Sequence, residues 1–361
     1  MPDLSSLVQS LTPPLAFAGI AVSKGGQRSF YLSAPGFAVT ERTLFRSASI
    51  SKIVVGWTAR LALAKQTGGR ATRPEDQTVE SLLGIPLRHP LAPDQPITVG
   101  QIASHCAGLT DAAGYALPVG QSLADWIIER GTAIWSDHPP GTYFDYCNLG
   151  YILLAAVAEK ASGQRFDQLA RGLVLDPLDI EGGFNWSGVM SERRMDRIPT
   201  YRETSGQFHP NIDDKVASGG ISGNDGNQIT ADYRLGADTS RLSPQGGLRI
   251  SLSGMLKLSE ALTKGPQTRI WSPDIRPGAY SGGLFESYGW GLQFLDNPPF
   301  YPRPLIGHCG NAYGFRGGVW HDAAAGLSFA YALNGFPETD DSDDLHEYEA
   351  AVFDALANQV A

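Results

Sequence analysis

A lysine stands where a lysine is costly. Ser49-Ile50-Ser51-Lys52 runs directly into residues 53–64, a stretch apolar almost all round with Trp57 inside it. A helix with no polar face is normally buried. Ser49 and Lys52 are three apart and share one face of such a helix. Ile50, Ile53 and Val54 surround Lys52 with apolar side chains, which argues against the plain alternative of a helix start whose lysine faces solvent. A serine hydroxyl becomes a nucleophile when a base lies beside it, and an amine kept neutral by burial and neighbouring cations can be that base. The helix start adds oriented N–H donors that can hold an oxyanion. Ser and Lys at this spacing also arise by chance, so the pair needs support from the rest of the chain.

The chain around the pair reads as a loop-rich globular fold. Its 361 residues, 42% hydrophobic and 18% charged with 42 Gly and 24 Pro, exclude disorder and a coiled coil and allow two lobes or one composite domain. With 28 Lys and Arg against 37 Asp and Glu, the net charge of −9 offers no field for nucleic acid. The longest apolar runs, such as residues 15–22, fall short of the roughly 20 residues of a membrane span. No Lys or Arg precedes Lys24, so the basic start of a secretory signal is missing. The chain as written is expected in the cytoplasm, or in the periplasm or secreted if a leader has been removed. Oligomeric state is not legible.

Residues 15–22 and 29–33 predict a hairpin about Gly25-Gly26. Helices are expected at 53–64, 122–134, 149–161, 166–174 and 251–262, and strands at 289–294, 317–320 and 327–333. Residues 205–245, rich in Gly, Pro, Asp and Asn, read as a long loop. A last helix is expected near residue 342, with Asp340, Asp341, Asp343 and Asp344 as its solvated acidic start rather than a metal site. The order of elements fits an antiparallel sheet completed by both chain ends around a helical insertion.

Two further segments carry chemistry-bearing side chains. Tyr146-Cys147-Asn148 stands on a turn before the helix of 149–161, where Tyr146 can relay a proton and Asn148 can hold a substrate amide or the Lys52 amine. Alone it would read as a capping Asn after a core Tyr. His308-Cys309-Gly310-Asn311 lies near the C-terminus on an expected strand edge, where Gly310 lets a ligand approach the backbone. There His308 can bind a carboxylate or assist Tyr146. The three cysteines, Cys106, Cys147 and Cys309, are odd in number and lack metal-type spacing, so free thiols replacing Ser or Thr are the expectation.

Ser-x-x-Lys, Tyr-x-Asn and His-x-Gly, in this order and these settings, resemble the serine penicillin-recognising enzymes. The resemblance is to the branch of class C β-lactamases, secreted D,D-carboxypeptidases, D-aminopeptidases and family VIII carboxylesterases. Thr43-Leu44-Phe45-Arg46, Ile102-Ala103-Ser104-His105-Cys106-Ala107-Gly108-Leu109, Pro140-Gly141-Thr142, the run from Ser162-Gly163-Gln164-Arg165-Phe166 to Asp176-Pro177-Leu178, and Gly246-Gly247-Leu248 extend it over about residues 15 to 335.

This resemblance implies an α+β fold of the β-lactamase/transpeptidase type, with an antiparallel sheet flanked by helices and a mostly helical lobe. Residues 1–65 and 241–361 would form the α/β lobe and 66–240 the helical one, with the active site between them. Ser49 would be acylated, with Lys52 and Tyr146 sharing the role of base; which of them is the resting base stays open. Asn148 would orient Lys52 and substrate, and the N–H groups of Ser49 and Asn311 would form the oxyanion hole. His308, Cys309 and Gly310 would line the substrate site, and no cofactor or metal is implied. His308 where class C β-lactamases usually have Lys lowers that reading. Cys309 where Thr, Ser or Gly is usual weakens carboxylate recognition. A small-molecule esterase or amidase, with D-amino-acid derivatives among its substrates, ranks first. A penicillin-binding D,D-peptidase or weak β-lactamase comes next, and a non-catalytic ligand-binding homologue is the alternative of another class.

Overall fold

The computed structural model describes residues 3–359 apart from 13, 69–72, 119, 185, 187–188, 194–195, 211–231, 266, 276, 279–282 and 338–343. Among the described residues the strands are β1 (Phe17–Lys24), β2 (Gln27–Ser33), β3 (Leu44–Arg46), β4 (Gly182–Phe184), β5 (Tyr201–Thr204) and β6 (Gln207–Pro210). They continue with β7 (Leu248–Ser251), β8 (Ser287–Gly289), β9 (Leu292–Leu295), β10 (Leu305–Ala312), β11 (Phe315–Asp322) and β12 (Leu327–Asn334). The helices are α1 (Leu4–Ser10), α2 (Ser51–Thr67), α3 (Val79–Leu83), α4 (Val99–Ala103), α5 (Leu123–Arg130), α6 (Asn148–Ser162), α7 (Phe166–Ala170), α8 (Leu252–Ala261) and α9 (Glu347–Ala357).

The principal sheet has the order β2-β1-β12-β11-β10-β9-β8, with every neighbouring pair antiparallel. Both chain ends build it, because β1 pairs with β12 from Phe17 opposite Asn334 to Lys24 opposite Leu327. The expected hairpin turns at Gly25 and Gly26, both at positive φ, a conformation glycine adopts without a Cβ penalty. Strands β3, β7 and β4 form a second, three-stranded sheet.

Helix α2 is buried along most of its length and packs against α6, whose residues from Leu149 to Glu159 are all buried. Each Leu or Ile removed from water contributes about 1.5–3 kcal/mol, which keeps this pair of helices in place. Their N-terminal ends meet, so the first turn of α2 faces the first residue of α6.

Three expectations are corrected. Residues 289–294 are not one strand: β8 and β9 are joined by Trp290 and Gly291, both at positive φ, the two-residue turn of a tight hairpin. That turn presses into α2, where a Cβ on Gly291 would lie 2.0 Å from the Lys52 carbonyl oxygen. Residues 205–245 are not irregular throughout. Ser205 and Gly206 turn the β5–β6 hairpin, and buried Glu159 accepts hydrogen bonds from Tyr233 Oη, Gly236 N and Thr239 Oγ1. Residues 211–231 of that segment lie outside the described residues. The last helix starts at Glu347, capped by His346 and Glu349, because this reciprocal cap satisfies the first N–H groups. Asp344 precedes it, and Asp340, Asp341 and Asp343 lie outside the described residues.

Candidate active site

Ser49 sits in a single 3-10 turn, Ala48–Ile50, that opens into α2. Ala48 is held at φ 49°, a left-handed conformation costing a non-glycine residue of order 1–3 kcal/mol. Neighbouring hydrogen bonds hold it there. Ser51 Oγ donates to the Ala48 carbonyl at 2.6 Å and accepts from Leu248 N at 3.0 Å, while Ser47 N donates to the Leu248 carbonyl at 3.0 Å. The strained turn is thus tied to β7.

Lys52 is completely buried. Its Nζ lies 3.0 Å from Ser49 Oγ, 2.7 Å from Asn148 Oδ1 and 3.0 Å from the Gln245 carbonyl. In the neutral state two N–H bonds match the two amide carbonyls and the lone pair faces the Ser49 hydroxyl; as an ammonium the group donates to all three. Tyr146 closes the fourth side, with Nζ 4.7 Å from its ring centroid. The structure therefore gathers Ser49, Lys52, Tyr146 and Asn148.

The third segment meets the same turn. A Cβ on Gly310 would lie 2.8 Å from the Ser47 carbonyl oxygen, so only glycine lets β10 approach the Ser49 turn this closely. Asn311, next along β10, is part-exposed. His308 has a different place from that of a carboxylate ligand. It is completely buried, its Nε2 is 2.9 Å from Tyr288 Oη, its Nδ1 contacts the Cys309 carbonyl, and its ring centroid is 6.4 Å from that of Tyr146. Burial, with Lys52 adding to it, pushes its pKa down to about 3, so the ring is neutral and offers no cation. The physical reason is packing between Tyr288 and Tyr146, which covers the ring. Cys309 is turned toward buried Gln293, whose Oε1 accepts from Cys309 N at 2.7 Å and whose Nε2 lies 3.5 Å from Sγ.

Sequence reasoning missed three contributors. Asp111 accepts from Asn148 N at 2.8 Å, Asn148 Nδ2 at 2.9 Å, Leu149 N at 3.1 Å and Cys147 Sγ at 3.2 Å. His105, at φ 56°, lies with its ring centroid 4.4 Å from that of Tyr146 and accepts from Cys147 N through Nδ1 at 3.0 Å. Burial, then Lys52, holds it well below the usual histidine pKa. Tyr288 backs His308. His105 belongs to the Ile102-to-Leu109 run already singled out and Asp111 lies two residues beyond it, and that placement was the available signal. Cys147 is buried, and burial followed by Asp111 raises its pKa well above the usual thiol range, so it is a thiol donor, in keeping with a compact Ser-like role. At the rim, Arg46 donates to the Gly246 carbonyl at 2.8 Å and to Tyr313 Oη at 3.1 Å.

The sequence matches the Beta-lactamase family over residues 14–353. The chain belongs to the Beta-lactamase family. Penicillin-binding protein 4 of Amycolatopsis lactamdurans is 28% identical over 148 residues, which cover 40% of this chain and 37% of that protein. The chain thus matches well under half the length of this relative. In fold it is similar to a beta-lactamase/D-alanine carboxypeptidase from Yersinia pestis complexed with citrate, with a TM-score of 0.69 at 16% identity over 99% of both chains. It is also similar to the D-amino acid amidase from Ochrobactrum anthropi SV3, complexed with L-phenylalanine amide, with a TM-score of 0.67 at 16% identity over 98% of this chain and 95% of the other. The antiparallel sheet with its flanking helices is therefore the β-lactamase/transpeptidase fold. Among the described residues no helix is long and apolar enough to cross a membrane.

Proposed function

We propose that this member of a serine hydrolase family is an esterase or amidase for small substrates, D-amino-acid derivatives among them, working through an acyl-enzyme on Ser49. The carrying observation is Lys52 Nζ at 3.0 Å from Ser49 Oγ, with its other contacts to Asn148 Oδ1 and the Gln245 carbonyl. The neutral Lys52 amine takes the Ser49 proton as Oγ attacks the substrate carbonyl. The oxyanion is received by the N–H groups of Ser49 and Asn311. The leaving group departs with a proton from Lys52, directly or through the Tyr146 phenol; water then attacks the acyl group, giving its proton to Tyr146 as that phenol passes its own to the neutral Lys52 amine, and Lys52 returns a proton to Ser49 Oγ as the acyl group leaves. Asn148 holds the amine, and Gly310 lets β10 come close to the Ser49 turn. The site would lie between a lobe of residues 1–65 with 241–361 and a mostly helical lobe of 66–240.

A second reading, a penicillin-binding D,D-peptidase, is favoured by the likeness to penicillin-binding protein 4. Intact-protein mass spectrometry after brief exposure to benzylpenicillin, short nitrophenyl esters and D-amino-acid amides, beside Ser49→Ala, tests both. Adducts or turnover lost in Ser49→Ala support the acyl-enzyme, and an adduct with penicillin favours the D,D-peptidase. Ligand affinity that survives in Ser49→Ala without any turnover in the parent would instead mark a non-catalytic binding protein.

A further inference from the structure

Asp111 reaches the start of α6 from 37 residues upstream. The residue at the ordinary capping position is Cys147, whose side chain makes no capping bond. One Asp111 oxygen accepts from Leu149 N and Cys147 Sγ, and the other from Asn148 N and Asn148 Nδ2. The bonds from Asn148 N and Leu149 N are those of a helix cap, satisfying N–H groups that lack a partner within the helix. The bond from the Asn148 side chain has no part in capping.

A carboxylate only accepts, so the Asn148 amide must turn its Nδ2 toward Asp111 and its Oδ1 toward Lys52. Turned the other way, the amide would set an oxygen against the carboxylate and N–H donors against the Lys52 amine. From this we infer that Asp111 is a positioning residue for the reaction. It fixes the orientation of Asn148, and through it the place of the Lys52 amine beside Ser49. This rests on the reading of Ser49 as nucleophile, and it goes beyond that reading by adding a residue that touches neither substrate nor Ser49.

The test is a double-mutant cycle on Asp111→Asn and Asn148→Ala, with the rate of Ser49 labelling by a fluorophosphonate as readout and thermal unfolding measured in parallel. Acylation is expected to fall about 100-fold in Asp111→Asn, the scale of misplacing a catalytic group by an ångström. In the Asn148→Ala background the same change should cost no more than about 3-fold, because groups acting in one chain are not additive. The Tm loss from the weakened cap should be similar in both backgrounds. Asp111→Asn within about 3-fold of the parent, or losses that multiply in the double variant, would overturn the assignment and leave Asp111 as a cap alone. If the parent itself fails to label, the Ser49 reading fails. The Asn148 side-chain amide signals in 15N spectra then decide the orientation, shifting in Asp111→Asn if Asp111 holds the amide and unmoved if it does not.

Discussion

The two walls of the candidate site are built on opposite terms. On the helix wall, Lys52, Asn148 and Asp111 form a chain in which each polar atom meets a partner of the right kind, from Ser49 Oγ through Nζ and the amide to the carboxylate. On the strand wall, the corresponding motif keeps its most polar side chain covered. His308 is buried against Tyr288, and Cys309 is turned to Gln293. That wall meets the Ser49 turn through Gly310, which contributes by having no side chain. A motif therefore states which residues are near a site, while packing states which of them face it.

Replacing Lys52 should separate the walls most sharply. Lys52→Met keeps the length and burial but removes the amine, and Ser49 acylation should fall by about 10³ or more, while urea unfolding should show a loss of about 1–3 kcal/mol, because Asn148 Oδ1 and the Gln245 carbonyl lose their donor. Gly310→Ala comes next. Its Cβ would sit 2.8 Å from the Ser47 carbonyl, forcing β10 away from the turn, and acylation should fall about 100-fold. A Gly310→Ala enzyme with parent kinetics would show that the strand wall has room to spare.

The smallest effect on catalysis is expected at His308. If it is a buried structural group, His308→Gln should leave the KM ratio of carboxylate-bearing to carboxylate-free esters within about 3-fold of the parent. A larger change would return the residue to the substrate site. Its mark should instead be on stability. The folded-state pKa is lowered from 6.5 to about 3, so the unfolded chain takes up a proton that the folded one refuses. Stability contributed by the neutral ring is full above pH 6.5 and declines as pH falls toward 3, by about 2 kcal/mol at pH 5. Urea midpoints at pH 7 and pH 5 should therefore lie closer together in His308→Gln than in the parent.

Much of the fold was legible because its signals are local. The hairpin at Gly25-Gly26, the apolar length of α2 and the run that becomes α6 each follow from turn chemistry or periodicity. The β8–β9 turn escaped because Trp290 takes a conformation usually left to Gly or Asn, and α2 and Ala103 hold it there, the Ala103 carbonyl accepting from Trp290 N at 3.0 Å. The order in residues 233–242 escaped because it depends on Glu159, more than 70 residues away. In the site, Ser49 and Lys52 could be paired by helical spacing, and Asn148 joined to them by family likeness. Asp111 could not, since its partners are met only when the loop after α4 folds onto α6.

The sequence by itself determined that a serine and a lysine open a buried helix, and that the chain carries the three segments of its family in order. Only the tertiary structure decided that Asn148 presents its oxygen to Lys52, that His308 is buried against Tyr288, and that β10 can touch the Ser49 turn at Gly310. The reason is physical. Spacing along a helix sets which side chains are neighbours, but the direction of a hydrogen bond and the side of a strand that meets water depend on groups brought from distant parts of the chain.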